Sequence, residues 1–521
     1  PPGGSIYLAP HKTRGLWQAD EPVGFFRPVG VIGFFKLTER APAFTRKCLL
    51  TQRLQEIILL DAMRQLALDF LYKEIGDHSM PPPNLTSWFQ NLRKNSPELL
   101  FPFLVEDAEK VSEVYVIQRD SNKPQMATLS AREMRSEMAP FLPFMRPSGS
   151  QSAQVGPVIK RSFSKHNGAG PSEKILKTTI ESFRATSNSD NPWASYFNEV
   201  LSIFEAPSLQ LPDQTVVDWK DAGFSSLFAA AVGLVGEKKQ TVFLTVADSE
   251  GKLPGQRREY MDYLLLARLA GERYTTERVS AQTGAECALC NAVDVSIYPN
   301  AIKGAGINFC NMDREGAFPG VGLSDAWKGY ALCLDCADLL YIFKNHCLKQ
   351  DPVTKQRPFF ALVAGDGALV IPYTNANMEG RQELLQEVHD YVRIAHTTVE
   401  ENEITILDDL KDNKALLNIT FLWADVRQNI ENLRGAITDV PPSRLQALSQ
   451  INEEADHCNH PLFPEVILPG LKPNLALSAL KDLFKRPGGK KAQRANDSSR
   501  LYQLRRMLGP CVYKGETLPE Q

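Results

Sequence analysis

Two Cys-x-x-Cys pairs, ECALC at 286–290 and ALCLDC at 331–336, constrain this chain more than any other feature. Each pair is a short turn that can aim two thiolates at one ion, and the two together supply the four sulfurs that a tetrahedral zinc prefers. A redox dithiol needs only one such pair. Cys287, Cys290, Cys333 and Cys336 are therefore expected to form one structural zinc site, so the fold must bring together the two sides of the spacer 291–332. Four sulfurs leave no open coordination position, and the expected metal holds the fold without performing hydrolysis.

The other cysteines do not suggest a disulfide framework. There are nine cysteines in 521 residues, an odd and scattered number that fits a reducing compartment. Cys310 lies in the spacer, and Cys48, Cys347, Cys458 and Cys511 read as ordinary buried thiols. No apolar run approaches the roughly 18 residues needed to span a bilayer, and the opening PPGGSIYLAPHK lacks a charged-then-apolar signal pattern. A cytoplasmic location with no membrane partner is expected. With 43% hydrophobic and 23% charged residues the composition is globular, and the length calls for two to four domains. A net charge of −3 gives no global field toward nucleic acid, so any such binding must be local.

Periodicity predicts a helix over 52–76 ending at Gly76, strands at 113–119 and 241–248, and a helix over 258–274. It also predicts a hairpin at 359–373 turning on Gly365-Asp366-Gly367 and a helix over 381–399. The apolar run 415–426 fits a buried strand better than a helix. The stretches 80–87 and 147–172 read as loops. Beyond residue 440, Leu-spaced segments replace the β-branched runs. The expected fold class is thus α+β and multidomain: a large mixed α/β N-terminal domain, 1–440, with an inserted four-cysteine zinc-binding region at 284–347, and a smaller helical C-terminal domain, 441–521.

Two basic segments are candidates for phosphate contact. Residues 158–177 carry Lys160, Arg161, Lys165, Lys174 and Lys177 against Glu173, with Asn167 and glycines interleaved. Residues 485–506 include Lys490, Lys491, Arg494, Arg505 and Arg506 against Asp497 alone. Clustered Lys and Arg neutralise phosphates and release counterions, although a solvated loop or tail has the same composition. Apparent enzymatic motifs are weaker. His389-Asp390 is a lone dipeptide on an amphipathic helix, and His457-Cys458-Asn459-His460 has no second cluster to complete a metal site. Gly488-Gly489-Lys490 is followed by Lys491 where a P-loop needs Ser or Thr, and Asp366 suits a turn.

The spacer and second pair, INFCNMDREGAFPGVGLSDAWKGYALCLDCADLLYIF, carry Phe309, Asp313, Gly316, Gly320, Ala326, Trp327 and Leu340 around the cysteines. With TDVPPSRLQAL at 438–448, they resemble the large subunit of type I-B CRISPR surveillance complexes (Cascade). The resemblance implies a non-catalytic prokaryotic protein partnered by guide CRISPR RNA, target double-stranded DNA, Cascade backbone and small subunits, and a recruited nuclease-helicase. In such complexes protein reads the protospacer-adjacent motif and aids R-loop formation, while base pairing reads sequence. No motif carries over for the DNA-reading residues. Charge and flexibility nominate Lys160, Arg161, Lys165 and Asn167 for DNA, and Lys490, Lys491, Arg494, Arg505 and Arg506 for RNA or displaced strand. Two rivals are a type III-like CRISPR large subunit and an unrelated zinc-ribbon nucleic-acid-binding protein. The first needs a Gly-Gly-Asp-Asp hairpin for two metals, and the sequence has none.

Overall fold

The computed structural model describes residues 43–77, 82, 84–106, 111–119, 125–145, 153–162, 171–224, 227, 230–231, 241–276, 278–309, 311, 322–350, 357–363, 366–374, 376, 378–394, 416, 418–426, 429–456, 503 and 505–517. Among the described residues three sheets follow one another along the chain, and a long helix packs against the third.

That helix, α1, runs Ala43–Ile75. It is longer than the sequence pattern suggested and is buried on most sides: Leu59, Leu60, Met63, Leu66, Ala67, Leu68, Leu71 and Tyr72 are all sequestered. A helix apolar nearly all round belongs inside a protein. It stops at Gly76, where any Cβ would lie 2.4 Å from the Tyr72 ring. Of the expected loop 80–87, residues 85–87 open α2, Leu85–Asn95, because the Asn84 side chain caps it by accepting from the Thr86 and Ser87 amides at 2.8 and 3.1 Å.

The first sheet comprises β1 Val111–Arg119, β2 Met126–Glu133, β3 Ile159–Ser162, β4 Ser208–Gln210, β5 Val216–Asp218 and β6 Thr241–Ala247, in the order β3-β6-β1-β2-β4-β5. Central β1 and β6 run parallel, and each is a continuous buried run, Val114–Ile117 and Val242–Ala247, as expected of strands covered on both faces. Two helices, α3 Pro171–Ser187 and α4 Ala194–Phe204, pack together through Phe183 and Phe197, whose rings are 5.2 Å apart. The expected loop 147–172 is corrected in part. Ile159–Ser162 extends the sheet by pairing antiparallel with β6, since Ile159 finds a buried place opposite Leu244 that a loop would deny it. The expected helix 258–274 is also broken. It begins as α5, Arg258–Asp262, widens to a π-turn over Tyr263–Arg268, and halts at Gly271, which adopts φ +115°.

The second sheet is small: β7 Gln282–Ala285, β8 Val295–Tyr298 and β9 Leu332–Cys333, all antiparallel. It leads into α6, Leu334–Ile342. The third is a four-stranded antiparallel meander of β10 Phe360–Val363, β11 Asp366–Tyr373, β12 Asn418–Val426 and β13 Ile430–Val440. The expected hairpin is β10–β11 with Val363 opposite Asp366, so Asp366 opens a strand, and the run 415–426 is strand β12. The segment 381–399 lies largely in α7, Met378–Ile394. α7 is pinned to α1 by a two-pronged pair from Arg381 to the buried Asp69, both bonds 2.9 Å.

Beyond residue 440 the described chain is helical: α8 Pro442–Asp456 and a second helix, α9, over residues 505–514. Neither stands apart from the third sheet. The Tyr513 ring lies 5.3 Å from Phe421, and Arg444 of α8 donates to the carbonyls of Val512 at 2.6 Å and Cys511 at 3.0 Å. Of the scattered thiols, Cys347 is buried and Cys511 is half-buried; Cys48, Cys310 and Cys458 have no described side chain.

Candidate metal centre

The two cysteine pairs meet at the second sheet. The β7–β8 connection carries Cys287 and Cys290 on a tight turn: the Cys287 amide donates to Ala292 O at 2.9 Å and the Asn291 amide to Cys287 O at 3.1 Å. Asn291 and Asp294 both take φ of 57°, a left-handed conformation that asparagine and aspartate tolerate better than most residues. The second pair straddles a strand end and a helix start, with Cys333 on β9 and Cys336 in the first turn of α6. β8 joins the halves by pairing Ile297 with Cys333, and the Ala288 amide clamps them by donating to Ala331 O at 3.1 Å.

All four sulfurs lie within 4.8 Å of one another. Cys290 and Cys333 are 3.6 Å apart, sulfur to sulfur, too long for a disulfide at about 2.05 Å. A tetrahedral ion with metal–sulfur bonds of about 2.3 Å sets its sulfurs about 3.8 Å apart, so the gathered thiols fit zinc. Cys287, Cys333 and Cys336 are buried and Cys290 is half-buried. The Cys333 amide donates to Cys287 Sγ at 3.2 Å. Hydrogen bonds from Cys290, Cys333 and Cys336 hold the Cys287 thiol far below its usual range. Bonding to Cys287, with burial added, holds Cys333 and Cys336 far above theirs. Against the opposing effect of Cys287, Cys333 and Cys336 also lower Cys290, so without a cation the four thiols do not ionise alike, and a divalent ion is what would draw the protons from all four. Bound there, it would supply a cross-link between two distant turns.

The shell around the centre is aromatic and ionic. α6 is buried along its length, and its Asp338 accepts from Arg93 Nη2 at 2.7 Å and from the Tyr274 hydroxyl. Arg93 also meets Asp335 at 2.6 Å through Nε. Burial holds the Asp335 carboxyl above its usual range against the pull of Arg93. Of the residues that suggested a family, Ala326 and Leu340 are buried, and Phe309 and Trp327 pack at the core edge. Asp313, Gly316 and Gly320 lie outside the described residues. Arg444, within 438–448, is the residue that caps α9.

The basic nominations are dispersed. Lys160 is half-buried on edge strand β3 rather than on a loop, and Arg161 follows it in register with Val242. Lys177 is exposed on α3. Arg505 is buried, its guanidinium 5.1 Å above the Trp423 ring, so of the pair 505–506 only Arg506 presents its charge to solvent. Sequence reasoning took Arg505 for a surface cation because its partner ring lies in a different element. Lys165, Asn167, Lys490, Lys491 and Arg494 lie outside the described residues, as do 457–460 and 488–489.

No helix among the described residues is long and apolar enough to cross a membrane. No curated protein and no solved structure matches the chain significantly. Residues 284–440, which hold all four cysteines and the whole third sheet, match the family model for the central domain of CRISPR-associated protein TM1802 (cas_TM1802). Through that central region, about a third of its length, the chain is similar to CRISPR-associated proteins.

Proposed function

We propose that the protein is the non-catalytic large subunit of an RNA-guided type I surveillance complex. In this reading it recognises the protospacer-adjacent motif in duplex DNA, aids R-loop formation and helps recruit a separate nuclease-helicase. The observation that carries the reading is the family match over 284–440, which encloses the four-cysteine centre. A structural metal centre in place of a two-carboxylate hairpin supports a binding role over nucleotide chemistry. Its partners would be guide RNA, backbone subunits and small subunits, with base pairing reading sequence and protein reading a short motif and backbone shape. DNA contact is assigned to the segment around Lys160, Arg161, Lys165 and Asn167, and strand contact to Lys490, Lys491, Arg494 and Arg506.

Affinity purification of the tagged full chain from its native cell, with sequencing of bound RNA, tests the proposal. Recovery of a repeat-derived guide RNA with a repeated backbone subunit is expected; purification without RNA would overturn it. Charge reversal at Lys160, Arg161 and Lys165 should weaken target-duplex binding by the assembled complex and flatten its salt dependence. Unchanged binding and salt slope would remove those residues from the interface.

A further inference from the structure

Helix α1 carries a carboxyl group on a buried face. Glu56 is 7% exposed, and Leu60 and Met63, which follow it at helical spacing, are at 0%. A carboxyl group placed there leaves water behind and persists only where hydrogen bonds from the protein replace the lost hydration. One such bond comes from the cysteine region: the hydroxyl of Tyr330, a residue 1% exposed, donates to Glu56 Oε2.

Tyr330 stands three residues before Cys333, at the entry to β9. That strand is only two residues long, Leu332–Cys333, against a usual length of about five or six, so its own ladder to β8 supplies few bonds. The junction of the two cysteine pairs nevertheless depends on it. Ala331 O accepts from the Ala288 amide at 3.1 Å, Cys333 pairs with Ile297, and the Cys333 amide donates to Cys287 Sγ at 3.2 Å. Ligand atoms are held to within about 0.5 Å where the residues behind them are themselves locked by packing and hydrogen bonds. α1 locks Tyr330 in that way, and it also packs against α6, the helix that carries Cys336.

We infer that Glu56 is a positioning residue for the metal centre: by accepting from Tyr330 it fixes the entry to β9, holds Cys333 against the first cysteine pair and slows loss of the metal. The inference rests on the four cysteines holding zinc and is independent of the surveillance role.

The test compares the full chain with Tyr330→Phe, Glu56→Leu, Glu56→Gln and the double variant Glu56→Leu/Tyr330→Phe. Zinc content is measured first, then the rate at which a colorimetric chelator strips the metal, and then the thiolate-to-metal absorption of the cobalt-substituted proteins. Outer-shell partners of metal ligands are typically worth 10- to 100-fold, so Tyr330→Phe and Glu56→Leu should each release zinc about tenfold faster and shift the cobalt band. Glu56→Gln keeps an acceptor oxygen and should stay near the parent in both readouts. The double variant should release no faster than the quicker single one, because both remove the same bond. Arg381→Met cuts α1 from α7 at Asp69, about 20 Å along the helix from Glu56, and should release zinc at the parent rate.

Parent-rate release from Tyr330→Phe would overturn the inference, as would faster release with an unshifted cobalt band. Multiplied accelerations in the double variant would show that Glu56 does not act through Tyr330. Release from Arg381→Met as fast as from Tyr330→Phe would mean that any loosening of α1 suffices, and would equally overturn it. Should Glu56→Leu fail to fold, Tyr330→Phe against Glu56→Gln and Arg381→Met decides by the same ordering. A parent chain purified without bound metal would instead overturn the metal-centre reading, and the inference with it.

Discussion

Replacing Arg93 with methionine removes the one side chain that joins α2 to both carboxylates of α6. Arg93 reaches Asp338 at 2.7 Å and Asp335 at 2.6 Å, and the two carboxylate side chains are 2% and 23% exposed. Breaking a buried pair from one side costs about 3–5 kcal/mol, because the remaining charge is left without a partner. Tyr274 still donates to Asp338, and Arg93 is itself 22% exposed, so some water can enter. The lower end, about 3 kcal/mol, is the appropriate figure. At about 1.4 kcal/mol per tenfold this is roughly a hundredfold in the local opening equilibrium. Amide hydrogen exchange reads that equilibrium directly, and α6 amides should lose protection by about that factor while β1 and β6 change little. The loss should shrink on acidification. Without Arg93 the raised Asp335 carboxyl goes higher still, and an acid raised in the folded state withdraws stability as pH rises through its range. Adding Asp338→Asn to Arg93→Met should restore much of the protection, since the stranded charge is then gone. Unchanged α6 protection in Arg93→Met, or no recovery in the double variant, would refute the buried-charge argument.

Cys333→Ser should reduce bound zinc and loosen the β8–β9–α6 unit; exhaustive chelation of the parent should reproduce the effect, measured by metal analysis and proteolysis. Zinc content should also fall as pH is lowered, because protons compete for the four sulfurs; pH-independent retention would contradict metal binding there. Gly271→Ala should destabilise by about 1–3 kcal/mol, read by thermal melting, since φ is +115° and the added Cβ would meet the Tyr298 ring at 2.4–2.5 Å. Arg444→Ala should free α9, detected as new cleavage within 505–514 and a changed Trp423 fluorescence, because two C-terminal carbonyls lose their donor.

The sequence announced the metal centre because spacing and element type agree: two tight turns and four soft ligands admit few other uses. The strands β1 and β6 were legible too, since a short β-branched run between charged ends has few alternatives, whereas for β12 a helix competed with the favoured strand. What escaped detection depends on distant partners. Ile159–Ser162 is too short to declare itself, and becomes a strand only because β6 presents an unpaired edge. Arg505 carries the same letter as its exposed neighbour Arg506, and only the Trp423 ring beneath it separates packing from surface charge. Arg64, buried in α1 and bonded to Asp61, was invisible for the same reason. It lies in a helix correctly anticipated, at a position where pattern alone reads an arginine as solvent-facing.

Within the cysteine spacer, the chain at Gly306–Asn308 runs alongside the start of β13. Ile430 N donates to Gly306 O at 2.9 Å, Asn308 N donates to Ile430 O at 2.8 Å, and Ile307 and Ile430 pair in parallel. These bonds tie the interior of the cysteine spacer to a strand made much later in synthesis. Pairings between segments so far apart form late, because a long loop must close before they give any return. On the ribosome the Gly306 carbonyl and the Asn308 amide therefore gain these partners only once β13 emerges, although both cysteine pairs are already out. The metal centre can close first, yet the chain from Cys336 to Ile430 is still open, so this pairing stays a long-range step that fastens the spacer to the third sheet.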